Sequence, residues 1–138
     1  MTRTIDMQEM RYLNLFEKIT NVRTRFCFNY NNNIMFAVPK PFVIKSIGPD
    51  AQNLKKMNKI IGKRIRVIPL PTGTQDLKVF IEKIISPVEF QSVEIKDNEV
   101  ILTAGSRNKA SLIGRDKRRL IEMQKIIREF FDKEFKIV

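Results

Sequence analysis

The chain has 138 residues, 43% of them apolar, and carries 26 Lys and Arg against 15 Asp and Glu, a net charge of +11. It contains no His and one cysteine, Cys27, which excludes an internal disulfide, a Cys/His metal cluster and the usual nucleophile–base pairs. No apolar run approaches the ~20 residues of a membrane span, and Met1 to Asp6 is polar rather than signal-like, so a cytoplasmic protein that is not an enzyme and uses no cofactor is expected.

Asp6 to Ile19 has helical spacing, with Met10, Leu13, Phe16 and Ile19 on one face. Asp6 and Glu9 stand at the spacing of a capping box. Val22 to Tyr30 alternates, setting Val22, Thr24, Phe26 and Phe28 against Arg23 and Arg25, which predicts a half-buried strand with Phe26 and Phe28 in the core and Cys27 buried. Asn31-Asn32-Asn33 predicts a turn, because Asn tolerates left-handed backbone angles, and Ile34 to Val38 completes a hairpin. Pro39 and Pro41 stop it, and Pro41 suits the first turn of a helix over Phe42 to Ile47. Gly48-Pro49-Asp50 breaks that helix. Ala51 to Ile61 forms the next, with Leu54, Met57, Ile60 and Ile61 inward and Gly62 at its C-cap. Arg64 to Ile68 is a third strand, and the proline-rich segment 69–74 reads as a short linker.

The order then recurs. Gln75 to Ile85 is a helix through Leu77, Phe80, Ile81 and Ile84; Pro87 to Lys96 and Glu99 to Ala104 are strands about an Asp97-Asn98 turn. Ser106 to Ile113 is a short helix with Ser106 as N-cap, Gly114-Arg115-Asp116 is a turn, and Lys117 to Phe131 is a helix buried through Leu120, Met123, Ile126, Ile127 and Phe130. Phe135 to Val138 closes as a strand. The recurrence is visible in the residues themselves. Ile47 to Ile61 returns 66 residues later as Ile113 to Ile127, with eight of fifteen positions identical. The chain therefore reads as a duplicated module, each copy near the lower size limit for an independent core.

The charge is concentrated on the repeat. Lys40 to Arg66 holds eight basic residues and one acid, Asp50; Gly105 to Arg119 holds six and one acid, Asp116; Asp76 to Glu99 is acidic overall. Such clustering points to a polyanionic partner.

The element order, with Ile-Gly-x-x between paired helices, resembles the type II KH domain. Two in tandem resemble the KH pair of NusA-type transcription factors, and the short archaeal NusA-like proteins above all. Glu9-Met10-Arg11-Tyr12-Leu13-Asn14-Leu15-Phe16-Glu17-Lys18-Ile19-Thr20 resembles that family's opening E-x-R-Y-x-x-L-F-E-x-x-T helix. Arg25-Phe26-Cys27 sits where the family often has R-D-C, and Asn53, Leu54 and Lys55 follow the loop as its N-hydrophobic-Lys does. The resemblance implies an α+β fold of two tandem KH domains, 1–70 and 74–138, each α-β-β-α-α-β with a three-stranded mixed sheet. It implies a monomer that binds single-stranded RNA and acts with RNA polymerase in transcription elongation, termination or antitermination.

In KH domains a GXXG loop brings bare backbone to the phosphates, and bases rest in an adjoining groove. The residues expected to contact RNA are thus Lys45, Ile47, Gly48, Ala51, Gln52, Asn53, Lys55 and Lys56 in the first copy. In the second they are Arg107, Lys109, Ile113, Gly114, Arg115, Lys117, Arg118 and Arg119. The loops depart from the pattern: Gly48-Pro49-Asp50-Ala51 and Gly114-Arg115-Asp116-Lys117 both lack the second glycine and both place Asp third. Each Asp stands where a carboxylate can cap a helix. Arg115, Lys117, Arg118 and Arg119 offset Asp116, so the second copy reads as the stronger phosphate binder. Two rival readings stay open: a KH-fold module that binds protein instead of RNA, and a helix-turn-helix that binds duplex DNA.

Overall fold

The computed structural model describes residues 5–138, which divide at Leu70–Pro71 into two compact units; residues 1–4 of the polar opening stretch lie outside the description. The first unit runs α1 (Met7–Thr20), β1 (Phe26–Tyr30), β2 (Asn33–Val38), α2 (Val43–Ile47), α3 (Gln52–Ile61) and β3 (Arg64–Pro69). The second runs α4 (Leu77–Ile85), β4 (Ser92–Lys96), β5 (Glu99–Thr103), α5 (Lys109–Ile113), α6 (Arg118–Phe131) and β6 (Glu134–Ile137). Each unit is α-β-β-α-α-β. In each the middle strand, β2 or β5, pairs antiparallel with its predecessor and parallel with its successor, so the fold is α+β with two three-stranded mixed sheets.

The first core forms where α1 and α3 cover one face of their sheet. Phe16 of α1 stacks on Phe36 of β2 with ring centroids 4.3 Å apart, and both are fully buried. Val22, Cys27, Ile34, Val38, Met57 and Ile65 complete the cluster. Asp6 caps α1 as expected, its carboxylate accepting from the Glu9 N–H at 2.7 Å. Met10 does not join the core and is exposed; Tyr12, Leu13, Leu15 and Ile19 pack there instead.

Several boundaries differ from expectation. β1 starts four residues later than the alternation implied. Thr24 ends the irregular entry by donating its hydroxyl to the Ala37 carbonyl at 2.5 Å while accepting from Phe26 N–H. Cys27, buried as expected, joins Phe16 and Phe36 in the core cluster, whereas Phe26 is only half-buried. Phe28, Tyr30, Met35, Ala37 and Ile68 occupy the opposite sheet face and are buried as well. A strand apolar on both faces cannot be oriented by alternation.

In the second unit, residues 87–91 form a loop, not the start of a strand. Val88 N–H turns back to the Ile85 carbonyl and the Asn108 side chain holds the Glu89 carbonyl at 3.0 Å. Ser106 is not a cap; α5 starts three residues later, behind Asn108. β3 extends through Pro69, with Leu70 N–H bonded to Val38 at 2.7 Å, so the first two residues of the expected linker belong to the first sheet. α6 ends on an aromatic group in which Phe80 lies 4.8 Å from Phe130 and 5.7 Å from Phe131. Ile126 is buried, whereas its repeat partner Ile60 is 61% exposed, contrary to the inward position expected of it. α3 stops one residue after Ile60, while α6 continues four residues beyond Ile127.

Candidate nucleic-acid interface

The two loops share one backbone despite differing at two of their four residues. Gly48 has φ 79° and ψ 167°, Gly114 φ 78° and ψ 170°. Asp50 and Asp116 follow at φ 53° and 55°, then Ala51 and Lys117 at φ 56° and 61°. Ala51 N–H closes on the Gly48 carbonyl at 3.1 Å and Lys117 N–H on Gly114 at 3.2 Å. The glycine angles lie in a region that essentially only glycine occupies. A Cβ at Gly48 would sit 2.9 Å from the Asn53 amide nitrogen; at Gly114 it would sit 2.6 Å from Arg119 Cγ and 3.0 Å from Arg119 N.

The left-handed residues Ala51 and Lys117 stand where the KH pattern has its second glycine. An L-residue there costs roughly 1–2 kcal/mol. Ala51→Gly is therefore expected to raise the stability of the first unit by about 1 kcal/mol, read as a shift in the urea midpoint at constant m-value. No gain would mean that the loop relaxes around alanine without strain.

Asp50 and Asp116 do not cap the helices that follow. Both are exposed and left-handed, and neither carboxylate bonds or pairs with another described residue. α3 and α6 start at Ala51 and Lys117 without a side-chain cap. The N–H groups that open them, of Gln52 and Arg118, are taken by the Pro49 and Arg115 carbonyls, so what each helix start offers an external anion is the positive end of its dipole.

The expected contact residues fall into two groups by position. Around the first loop lie Lys45 and Ile47 at the end of α2, Gly48 and Ala51 in the loop, and Gln52, Asn53, Lys55 and Lys56 on α3. Lys45, Gln52, Lys55 and Lys56 are exposed and Ile47 is half-buried. Asn53 is turned back, its amide donating to the Ser46 carbonyl at 3.2 Å and so tying α3 to α2. Around the second loop lie Ile113, Gly114, Arg115, Lys117 and Arg118, the three cations exposed. Arg119, the counterpart of Asn53, is drawn inward and pairs with Glu122 at 2.5 Å, the two side chains 17% and 24% exposed. It is thus not free to offset Asp116. Arg107 precedes α5 and Lys109 opens it, at the end away from Gly114. Sequence reasoning missed the exposed cations Lys59 and Arg64 beyond the loop, although the count over Lys40 to Arg66 had included them.

No family model matches the chain. The chain is NusA-like: three archaeal proteins, each named "Probable transcription termination protein NusA", are similar to it at low identity. The Methanococcus vannielii protein is 28% identical over 114 residues, spanning 80% of this chain and 64% of its own length. The Methanocaldococcus jannaschii protein is 28% identical over 89 residues, 64% of this chain and 47% of its own length. The Halococcus morrhuae protein is 21% identical over 132 residues, 94% and 93% respectively. The chain thus spans about two thirds of the first of these relatives and less than half of the second. Among solved structures, the crystal structure of APE1850 covers 97% of this chain and 99% of its own at a TM-score of 0.66 and 23% identity, a likeness of fold.

Proposed function

We propose that this chain is a tandem type II KH protein that binds single-stranded RNA and acts in transcription elongation, termination or antitermination, with RNA polymerase as a further partner. The repeated α-β-β-α-α-β order with a mixed sheet supports the KH reading, and the names of the archaeal relatives support the role in transcription. The observation that carries the RNA reading is the pair of loops. Each opens on a glycine with no Cβ, turns through two left-handed residues and ends on an uncapped helix start. A phosphate can approach such a backbone closely and meet the positive end of the helix dipole there. Bases then rest beside Ile47 and Ile113. In this reading the protein is a cytoplasmic monomer, catalyses nothing and needs no cofactor. No helix among the described residues is long and apolar enough to cross a membrane.

The test is fluorescence anisotropy with a short single-stranded RNA across a salt series. Four phosphate contacts predict a log–log slope of about −3 or steeper, at roughly 0.7 per phosphate on single strands. Binding that ignores salt, or no binding at low salt, sinks the reading. A specific observation favours the protein-binding alternative: Ile44 on α2 is 84% exposed and Phe42 just before it 44% exposed. If RNA does not bind, that face is where a protein partner is expected.

A further inference from the structure

The two units differ in charge far more than their loops do. Residues 2–70 carry thirteen Lys and Arg against four Asp and Glu, net +9; residues 71–138 carry thirteen against eleven, net +2. The loop residues point to the second unit as the main phosphate binder, and the charge as a whole points to the first.

The excess is localised. On α3, Lys55, Lys56 and Lys59 are exposed and spaced so that they share one side of the helix. Ile60, four residues after Lys56, is exposed among them. Lys63 and Arg64 follow Gly62, whose left-handed C-cap ends the helix, and the Asn58 amide holds this turn by donating to the Lys63 carbonyl at 2.7 Å. None of these five cationic side chains has a hydrogen bond or ion pair with another described residue. At the next outward position on the same edge strand, burial first and the neighbouring Arg64 charge second hold the Arg66 guanidinium below its ordinary pKa. Like charges are crowded here.

Helix physics does not explain the arrangement. Lys59 complements the negative end of the α3 dipole, but Lys55 and Lys56 lie in the N-terminal half, where the dipole disfavours cations. Nor is it a property of the repeat as a whole. Lys59 recurs as Lys125 and, counted from the helix ends at Gly62 and Asp132, Lys63 as Lys133, but Lys55, Lys56 and Arg64 are replaced by Ile121, Glu122 and Glu134. Lys55 to Lys59 spans about 6 Å at ~1.5 Å per residue, and Lys63 and Arg64 lie beyond the helix end, an extent too long for one small anion and suited to a chain of them.

We propose that α3 and the start of β3 form a phosphate-contact track that continues from the Gly48–Ala51 loop, with Ile60 offering apolar surface to a sugar or base. The first unit then supplies most of the salt-dependent affinity, and the second adds its own loop contacts. This inference rests on the RNA-binding reading. It reverses the ranking drawn from the loops alone.

The experiment compares two charge-matched triple variants of the full chain on the same RNA: Lys56→Gln/Lys59→Gln/Arg64→Gln, and Lys96→Gln/Lys125→Gln/Lys133→Gln in the second unit. Five of the six are exposed and Lys133 is half-buried, so folding is expected to survive, with circular dichroism melts as the check. The first triple is expected to flatten the log–log salt slope by about 2, three contacts at roughly 0.7 each, and to weaken binding at least tenfold at moderate salt. The second is expected to leave the slope nearly unchanged. Equal effects of the two triples, or an unchanged slope in the first, overturn the track while leaving RNA binding intact. A wild-type chain that fails to bind RNA removes the underlying reading and the track with it.

Discussion

Phe36→Ala is expected to destabilise the first unit by about 3–5 kcal/mol. Phe36 lies in the central strand, paired with Cys27 on one side and Val67 on the other, and is fully buried. Its ring stacks on Phe16 at 4.3 Å, so truncation removes both the buried area and an aromatic contact that adds about 0.5–1.5 kcal/mol. At about 0.05–0.15 kcal/mol per residue, a unit of this size has only about 3–10 kcal/mol in total. The substitution consumes most of that margin. Urea denaturation followed by far-ultraviolet circular dichroism reads the loss as a lower midpoint. A shift worth less than about 1 kcal/mol would mean that the cavity collapses and that β2 is not the centre of this core.

Gly114→Ala is expected to cost about 2–4 kcal/mol and to distort the second loop. The strain of placing an L-residue at φ 78° and ψ 170° contributes about 1–3 kcal/mol. The new Cβ also meets the Arg119 backbone nitrogen at 3.0 Å, which cannot rotate away, as well as its Cγ at 2.6 Å. Gly48→Ala is expected to cost less. There the close contacts, 2.9 and 3.0 Å, are with the end of the Asn53 side chain, and the nearest backbone atom is 3.4 Å away. The order of the two midpoints is the informative readout, with RNA anisotropy alongside. Equal, small losses would show that both loops absorb the substitution by local movement and that their shape does not depend on glycine.

Much of this architecture is legible in the residues because local and global signals agree there. The duplication, the element order and the inward positions of Leu77, Phe80, Ile81, Ile84, Met123, Ile126 and Ile127 follow from helical spacing with one buried face. Reading fails where that premise fails. β1 and β2 are buried on both faces, so alternation started the strand early and counted Phe26, only half-buried, with Phe28, which is buried as expected. Ile60 satisfies the spacing of a core residue, yet α3 ends before anything covers it. Asp50 and Asp116 look like caps because Asp favours both N-caps and left-handed turns; here the second preference prevails. Arg119 counted as a free cation, and only its pairing with Glu122 removes it. Such pairings depend on rotamers that no spacing rule encodes.

The near-identity of the two loop backbones has a consequence for how this protein can change. Neighbouring helices and one glycine hold the curve of each turn, while Pro49, Ala51, Arg115 and Lys117 ride on it as interchangeable passengers. Shape and charge are therefore separately heritable. A mutation can recharge either loop without re-folding it, so the two halves can diverge in charge while keeping one shape.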